Sequence, residues 1–173
     1  MPSIHYLPDA EVDPELDLEL RGLLSACFIQ PHHAVFRERR YFKYPPGHRW
    51  LMREADALVA HAAVHERQIE VEGQVAPVGG VAEVCVLPAF RGRGLVRQLL
   101  VVVHRDLAER GVAFTALFGD PAVYGSSGYH MPGNVFLGPN ADGQWEPAPR
   151  VLVHPLPGAT WPVGEVHLPG PPF

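Results

Sequence analysis

A glycine-rich turn lies where an apolar strand is predicted to pass directly into a helix. The strand Val81–Leu87 ends at a proline, and the turn Arg91–Val96 follows closely. The first backbone N–H groups of a helix have no partner inside the helix, and they lie at the positive end of its dipole. Gly92 and Gly94 let a bulky group approach the main chain, and the two arginines of the turn add positive charge. The turn therefore predicts a binding site for an anion such as a phosphate.

This turn differs from the common nucleotide-binding loops, because it contains neither G-x-G-x-x-G nor a glycine followed by Lys and Ser or Thr. It resembles the acetyl-CoA pyrophosphate loop of the GNAT acetyltransferases, whose pattern is Gln/Arg-x-x-Gly-x-Gly/Ala. Arg91 and Gly94 match the first and fourth positions, whereas Val96 stands where the family has a small residue. The alternative is an ordinary strand–turn–helix junction with two surface arginines.

A second segment, Gly119–Tyr129, resembles the second signature of the same family. That signature is a short helix whose tyrosine precedes a glycine and an aromatic residue by a few positions. Tyr124, Gly128 and Tyr129 match it, while Ser127 replaces the usual phenylalanine. The two segments occur in family order and at family spacing, so together they predict a GNAT domain.

The resemblance implies that acetyl-CoA is the co-substrate and that no metal is needed. In this family the pantetheine arm binds unpaired backbone groups of the central strand, where an N–H also polarises the thioester carbonyl. The pyrophosphate binds the glycine-rich turn. Carried over to this sequence, the cofactor-binding residues are Val84, Cys85, Val86, Arg91, Gly92, Arg93, Gly94, Leu95 and Val96.

Two residues match the acid–base chemistry that the resemblance implies. An alkyl ammonium must lose a proton before it attacks a thioester, and departing CoA is a thiolate that a proton donor stabilises. Tyr124 matches the family's proton donor, with a core tyrosine as the alternative. Glu83 is the only carboxylate on the central strand and is the candidate base. The commonest family position matches Ala82, so Glu83 faces the same side only if a bulge interrupts the strand.

Histidines and a cysteine are alternatives for the chemistry. A neutral imidazole accepts a proton at working pH, so His61, His65 and His130 are further candidates for the base. His61 and His65 share a strand face as pocket-lining or half-buried residues, but no third ligand stands nearby, which argues against zinc. Cys85 offers a ping-pong route, yet a strand cysteine between two valines is expected to be inert.

Hydrophobic periodicity predicts an α/β fold with a mixed, mostly antiparallel sheet and flanking helices. The family resemblance implies in addition a splayed central strand pair. The first helix begins at the N-cap Asp13 and ends before Pro31, and the second follows the turn and ends at Gly111. That second helix joins two apolar strands, which predicts a parallel βαβ unit. The predicted strands are Ile4–Leu7, Trp50–Glu54, Ala57–Glu70, Val81–Leu87, Val112–Phe118, Asn134–Leu137 and Val151–Leu156.

The length of 173 residues, 47% of them hydrophobic, predicts one domain. Its core covers residues 1 to about 157, and a proline-rich C-terminal tail covers residues 158–173. The segment Val151–Leu156 and the Trp-Pro-containing tail resemble the C-terminal end of the aminoglycoside 2′-N-acetyltransferases and nodulation N-acyltransferases. The alternative is a flexible extension.

The net charge of −5, without a basic stripe, makes nucleic acid and acidic membranes poor partners and mildly favours a cationic acceptor. The N-terminus lacks the pattern of a signal peptide, and no apolar run is long enough to span a membrane, so a cytoplasmic location is expected. Cys27 and Cys85 are expected to be reduced core thiols.

These observations predict an acetyl-CoA-dependent N-acetyltransferase that acts on a primary amine by direct transfer in a ternary complex. The acceptor, a small-molecule amine or a peptide, stays open among an aminoglycoside, a polyamine, an amino acid and a protein N-terminus. The alternatives are a transferase that uses another acyl-CoA and a non-catalytic acyl-CoA-binding module. The C-terminal strands make a homodimer through paired sheets conceivable.

Overall fold

The structure is a computed structural model that describes all 173 residues. It is an α/β fold with nine strands and three α-helices. The strands are β1 Ser3–Pro8, β2 His48–Glu54, β3 Ala57–Val71, β4 Gln74–Val86, β5 Phe114–Phe118, β6 Val135–Gly138, β7 Glu146–Pro147, β8 Val151–Pro155 and β9 Val166–Pro169. The helices are α1 Pro14–Cys27, α2 Leu95–Glu109 and α3 Pro121–Tyr124. The strands form one mixed sheet in the order β7-β6-β9-β3-β4-β5-β8, with β2 also pairing with β3 and β1 with β2.

The chain forms two compact units. The first contains Met1–His65 and Ala82–Val103, and the second contains Glu66–Val81 and His104–Phe173. Strands β3 and β4 and helix α2 contribute residues to both. None of the helices has the length and apolar character that a membrane crossing requires.

In the first unit, β1, β2 and β3 form an antiparallel meander. Helix α1 begins as predicted, because the Asp13 carboxylate accepts a hydrogen bond from Leu16 N at 2.8 Å and a proline follows at the first helical position. One face of the helix is buried in the core of this unit. That core contains Leu20, Leu23, Leu24, Phe36, Leu51, Leu58 and Cys85.

In the second unit, the predicted βαβ pairing is confirmed. Residues 78–80 of β4 pair in parallel with residues 114–116 of β5, and β5 pairs with β8 on its other edge. The register with β4 ends at Ala116, although β5 continues to Phe118. This short pairing agrees with the prediction of a splayed strand pair.

The C-terminal residues differ from the expected tail. Strand β9 pairs in parallel with β6 and in antiparallel with β3, so the last strand of the chain lies between two earlier ones. Arg67 donates hydrogen bonds to the carbonyls of Pro169 and Pro171, and the Phe173 ring packs on Gly80. The segment after residue 157, expected as a proline-rich tail, therefore includes a strand that pairs with two earlier ones.

Candidate active site

The glycine-rich turn has the backbone conformation that the sequence predicts. Gly92 and Gly94 have φ angles of +75° and +70°, which other residues rarely adopt. Both are exposed, and a Cβ at either position would have nothing within 4 Å. Leu95 is buried and anchors the start of α2. The first hydrogen bond of the helix joins Gln98 N to Gly94 O at 3.1 Å, so the preceding amides have no acceptor within the helix.

The two arginines of the turn have partners within the first unit. Arg91 Nε donates to the carbonyl of Val86 at 3.1 Å. The Arg93 guanidinium lies 2.8 Å from the Glu54 carboxylate. Because these side chains bind other protein groups, the main-chain amides are the principal donors that the turn offers an anion.

The end of β4 presents backbone groups on the edge opposite β3. Leu87 N donates to Val59 O of β3 at 2.9 Å, and backbone groups alternate along a strand, so those of Val84 and Val86 point to the other edge. The Val86 carbonyl also accepts a hydrogen bond from the Cys27 thiol at 3.3 Å. With the bond from the turn's arginine, both of its acceptor positions are filled.

Glu83 interrupts the regular conformation of β4. Its φ angle is +53°, in the left-handed region that a non-glycine residue adopts at a cost of about 1–2 kcal/mol. A left-handed residue of this kind is typical of a bulge, the condition that the sequence prediction set for Glu83. Its side chain is only 7% exposed. Oε1 accepts a hydrogen bond from Phe42 N at 2.8 Å, whereas Oε2 has no hydrogen-bond partner.

A buried ionic network lies beside Glu83. Arg49 is fully buried, and its Nε donates a hydrogen bond to Asp9 Oδ1 at 2.6 Å. Its other two nitrogens donate to the Arg40 carbonyl, at 2.9 Å from Nη2, and to His61 Nε2, at 3.0 Å from Nη1. The Arg40 guanidinium in turn binds Asp9 and Asp17 at 2.8 and 3.0 Å. Burial alone would raise the pKa of the Asp9 carboxyl, but hydrogen bonds from both arginines outweigh it and lower the pKa.

His61 has both ring nitrogens occupied. Its Nε2 accepts from Arg49, so Nδ1 carries the proton and donates to the Glu83 carbonyl at 3.1 Å. Burial, and then the Arg49 charge, lower the pKa of His61 to about 3, which keeps the imidazole neutral. His61 is fully buried rather than half-buried, and both of its nitrogens are bonded, so it is unsuited to act as the base. Among the other histidines considered, His65 is half-buried and His130 is exposed.

The Glu83 carboxyl has an unusual acidity. Burial raises its pKa to about 7, although the positive charge of Arg49, whose Nη1 lies 3.6 Å from Oε2, and the bond from Phe42 oppose the shift. A carboxylate of this pKa can accept a proton near neutral pH and release it again.

Cys27 and Cys85 are both free thiols. A hydrogen bond from the Cys85 thiol, helped by the Arg91 charge, lowers the pKa of Cys27 to about 7 against the effect of burial. The same hydrogen bond and complete burial raise the pKa of Cys85. Cys27 is therefore the more nucleophilic thiol, and Cys85 is poorly suited to the ping-pong alternative.

Tyr124 lies at the end of α3 in the second unit. Asp120 begins this short helix by accepting a hydrogen bond from Ala122 N at 2.8 Å. The Tyr124 ring packs directly on Gly119, where a Cβ would lie 2.6 Å from its Cε2 atom. The ring also meets Tyr129 edge-on, with 6.1 Å between the centroids. The position of Tyr124 thus requires a glycine at residue 119.

Tyr129 and two histidines pack around the turn that follows α3. The Tyr129 hydroxyl lies 3.0 Å from His104 Nε2. Burial raises the pKa of Tyr129 well above its usual value, so the hydroxyl keeps its proton and donates it to that nitrogen. The His104 ring stacks on His154, which donates from Nδ1 to Gly128 O at 3.1 Å. His154 therefore fills the space against Gly128 at the turn where Ser127 replaces the family's phenylalanine.

The sequence pattern singles out Glu83 but does not reveal the residues around it, which are Asp9, Arg40, Phe42 and Arg49. The predicted second strand began at Trp50 and so left Arg49 outside. A signal was present nonetheless. Arg49 precedes the core residue Leu51 by two positions, and strand alternation puts both on one face.

Solved N-acetyltransferases share this fold. The structure of YhbS from Escherichia coli, described as a complex with CoA, superposes with a TM-score of 0.67 at 20% identity, covering 96% of this chain and 89% of that one. A GNAT family acetyltransferase from Brucella melitensis, described as a complex with acetyl-CoA, gives 0.61 at 19% identity, covering 95% and 94%. The fold is thus that of an N-acetyltransferase.

Comparison of sequences identifies the family. Residues 17–131 match the family described as acetyltransferase (GNAT) domain, which is about two-thirds of the chain. The chain therefore belongs to the GNAT acetyltransferase family. It is 34% identical over 74 residues to N-acetyltransferase Eis of Mycobacterium tuberculosis, covering 42% of this chain and 18% of Eis. It is 35% identical over 63 residues to YhbS of Escherichia coli, covering 36% and 38%. The chain thus matches well under half the length of each relative.

Proposed function

We propose that this protein is an acetyl-CoA-dependent N-acetyltransferase that transfers the acetyl group directly to a primary amine, with Glu83 as the general base. The observation that carries the proposal is the state of the Glu83 carboxylate. It is buried, it is held by Phe42 N through one oxygen, and its Oε2 has no hydrogen-bond partner. Its pKa of about 7 suits it to take a proton near neutral pH.

Oε2 is the atom that would receive the proton. An acceptor enters as an ammonium, and Glu83 Oε2 takes one proton from it, directly or through a water molecule. The lone pair that remains on the nitrogen then forms the bond to the acyl carbon while the C–S bond of the thioester breaks and CoA leaves as a thiolate. The nitrogen loses its second proton as the amide forms, which balances the proton that the thiolate takes up. Arg49 at 3.6 Å stabilises the ionised carboxylate before this transfer.

The turn residues fit an acyl-CoA. Acetyl-CoA supplies the acyl group as an activated thioester. The space around Gly92 and Gly94 is open, and the first amides of α2 have no acceptor within the helix. These amides would hold the pyrophosphate, while Val84 and the N–H of Val86 would hold the pantetheine arm. Neighbouring structures described as complexes with CoA or acetyl-CoA support this assignment.

Tyr124 is proposed to protonate the departing thiolate. The family resemblance supports the role, and the packing of the ring on Gly119 and Tyr129 limits its motion. Tyr129 and its histidine partners are positioning residues in this proposal.

The test follows CoA release over a panel of primary amines. Chromatography is preferred to a thiol reagent, because the lowered pKa of the free thiol Cys27 favours reaction with such a reagent. Glu83→Gln should lower kcat by about 100-fold or more, since the base is lost, while acetyl-CoA binding measured by calorimetry is unchanged. The matched control is Glu70→Gln, an exposed glutamate on β3, which should turn over like the wild type.

Four other outcomes are informative. Normal turnover by Glu83→Gln contradicts the base assignment, and normal turnover by Tyr124→Phe contradicts the acid assignment. Acetyl-CoA binding without CoA release to any amine indicates a binding module. Faster release from another acyl-CoA indicates a different donor.

A further inference from the structure

We infer that the acceptor is an amine that also carries a negatively charged group, which the exposed cations of segment Arg37–Lys43 recognise. We call Arg37–Lys43 the basic segment. The inference rests on the proposed function, because that function brings the acceptor amine to Glu83. It departs from the net charge of −5, which mildly favours a cationic acceptor.

The basic segment is fixed to the candidate base through its main chain. Phe42 N donates to Glu83 Oε1 at 2.8 Å. Arg49, whose Nη1 lies 3.6 Å from Glu83 Oε2, donates from Nη2 to the Arg40 carbonyl at 2.9 Å. An acceptor whose amine reaches Glu83 therefore lies beside this segment.

The accessible charge of the segment is positive. Its one acidic residue is Glu38, which is exposed. Arg40 is neutralised by the carboxylates of Asp9 and Asp17 at 2.8 and 3.0 Å. Three exposed cations remain, and none of them forms an ion pair. They are Arg37, Arg39 and Lys43.

Two of these cations flank the residue that binds the base. Arg39 donates to the carbonyls of Tyr41, at 3.2 Å, and Phe42, which holds its guanidinium next to residue 42. The Lys43 ammonium lies 5.9 Å from the centre of the Phe42 ring. A guanidinium has five N–H donors, so Arg39 retains donors for a carboxylate or a phosphate.

These cations should sort acceptors by charge. A second ammonium on a polyamine or an aminoglycoside is repelled, whereas an anionic group is attracted. Exposed pairs of this kind each change affinity by a factor of up to about five. More distant charges on the protein act weakly, because salt screens them beyond about 8 Å at physiological ionic strength. The local charge therefore outweighs the net charge.

The experiment compares three amines with the same carbon chain: γ-aminobutyrate, butylamine and putrescine. They carry a negative, a neutral and a positive group at the far end. We expect kcat/KM to fall in that order, by about fivefold or more from the first to the last. The difference should lie mainly in KM, because these contacts are the same before and during the reaction, and it should shrink as salt is added.

Charge reversal locates the effect. Arg39→Glu combined with Lys43→Glu should reverse the order of the three amines and leave acetyl-CoA affinity unchanged. The matched control is Arg105→Glu combined with Arg150→Glu, which changes the net charge equally at two other exposed arginines and should preserve the order.

Several outcomes overturn the inference alone. They are a flat or opposite order with the wild type, an unchanged order in the Arg39/Lys43 variant, and no acetylation of γ-aminobutyrate while other amines react. Weaker acetyl-CoA binding in that variant also overturns it, because the segment would then serve the co-substrate. Failure of the wild type to release CoA to any amine contradicts the proposed function instead.

Discussion

The acidity of Glu83 reflects opposing effects of a few neighbouring groups. Burial disfavours the carboxylate, while Arg49 and the Phe42 amide favour it. Arg49 does not neutralise Glu83 alone, because it also pairs with Asp9, whose Oδ1 lies 2.6 Å from Arg49 Nε. Glu83 is thus neither fully ionised nor fully protonated at neutral pH. A general base needs this property, because it must accept a proton in one turnover and release it before the next.

The pH dependence of the reaction tests this condition. Glu83 must be ionised to accept a proton, so kcat/KM should rise with pH and level off above the raised pKa of about 7. Below that value, activity should fall about tenfold per pH unit. The measurement is a profile from about pH 5.5 to about pH 8.5 at saturating acetyl-CoA, with Glu70→Gln as the control. A rising limb that persists unchanged in Glu83→Gln would assign the titration to another group.

The sequence reveals the candidate base but not its surroundings. Glu83 stood out as a carboxylate within an apolar strand. Asp9 and Arg40 are far apart in sequence, and nothing in the local pattern of either marks it as the partner of the other. Such ion pairs form only when the chain has folded, so spacing along the sequence does not predict them.

The turn between β4 and α2 combines the left-handed backbone conformation of its glycines with the amides at the start of the helix that have no acceptor within it. Gly94 has φ +70° and Gly111, at the other end of α2, has φ +80°, and a Cβ at either position would have nothing within 4 Å. Gly94→Ala and Gly111→Ala should therefore each lower the free energy of unfolding by about 1–2 kcal/mol.

Only the first substitution should affect binding. A Cβ at Gly94 would occupy space that the proposed function gives to the pyrophosphate, so acetyl-CoA affinity measured by calorimetry should fall about tenfold or more. Gly111→Ala provides the control for backbone strain. Equal affinities of the two variants would argue that the turn does not hold the co-substrate.

Elements with local signals were predicted well. Helix α1 follows from its cap, its proline and its apolar spacing, and α2 follows from the turn and the apolar residues at helical spacing. Strand β9 was missed, because its four residues form a strand only by pairing with β6 and β3. Such pairing is a long-range contact that neither periodicity nor turn chemistry near Val166 reveals.

For the whole molecule, the C-terminal segment is part of the folded sheet. Val166 is fully buried, its N–H bonds to Asn134 O at 2.9 Å, and it belongs to the core of the second unit with Ile69 and Val135. Val163, three positions earlier, is 98% exposed. The change from the exposed Val163 to the buried Val166 marks where the loop ends and strand β9 begins.

Val166→Asp should therefore destabilise the protein by about 3 kcal/mol or more, because it buries a charge without a partner. Thermal denaturation should show a midpoint lower by roughly 6–12 °C for a chain of this size. Val163→Asp places the same charge in solvent and should change the stability by less than about 0.5 kcal/mol. Equal midpoints for the two variants would show that the segment after residue 157 is the flexible extension that its proline content suggested.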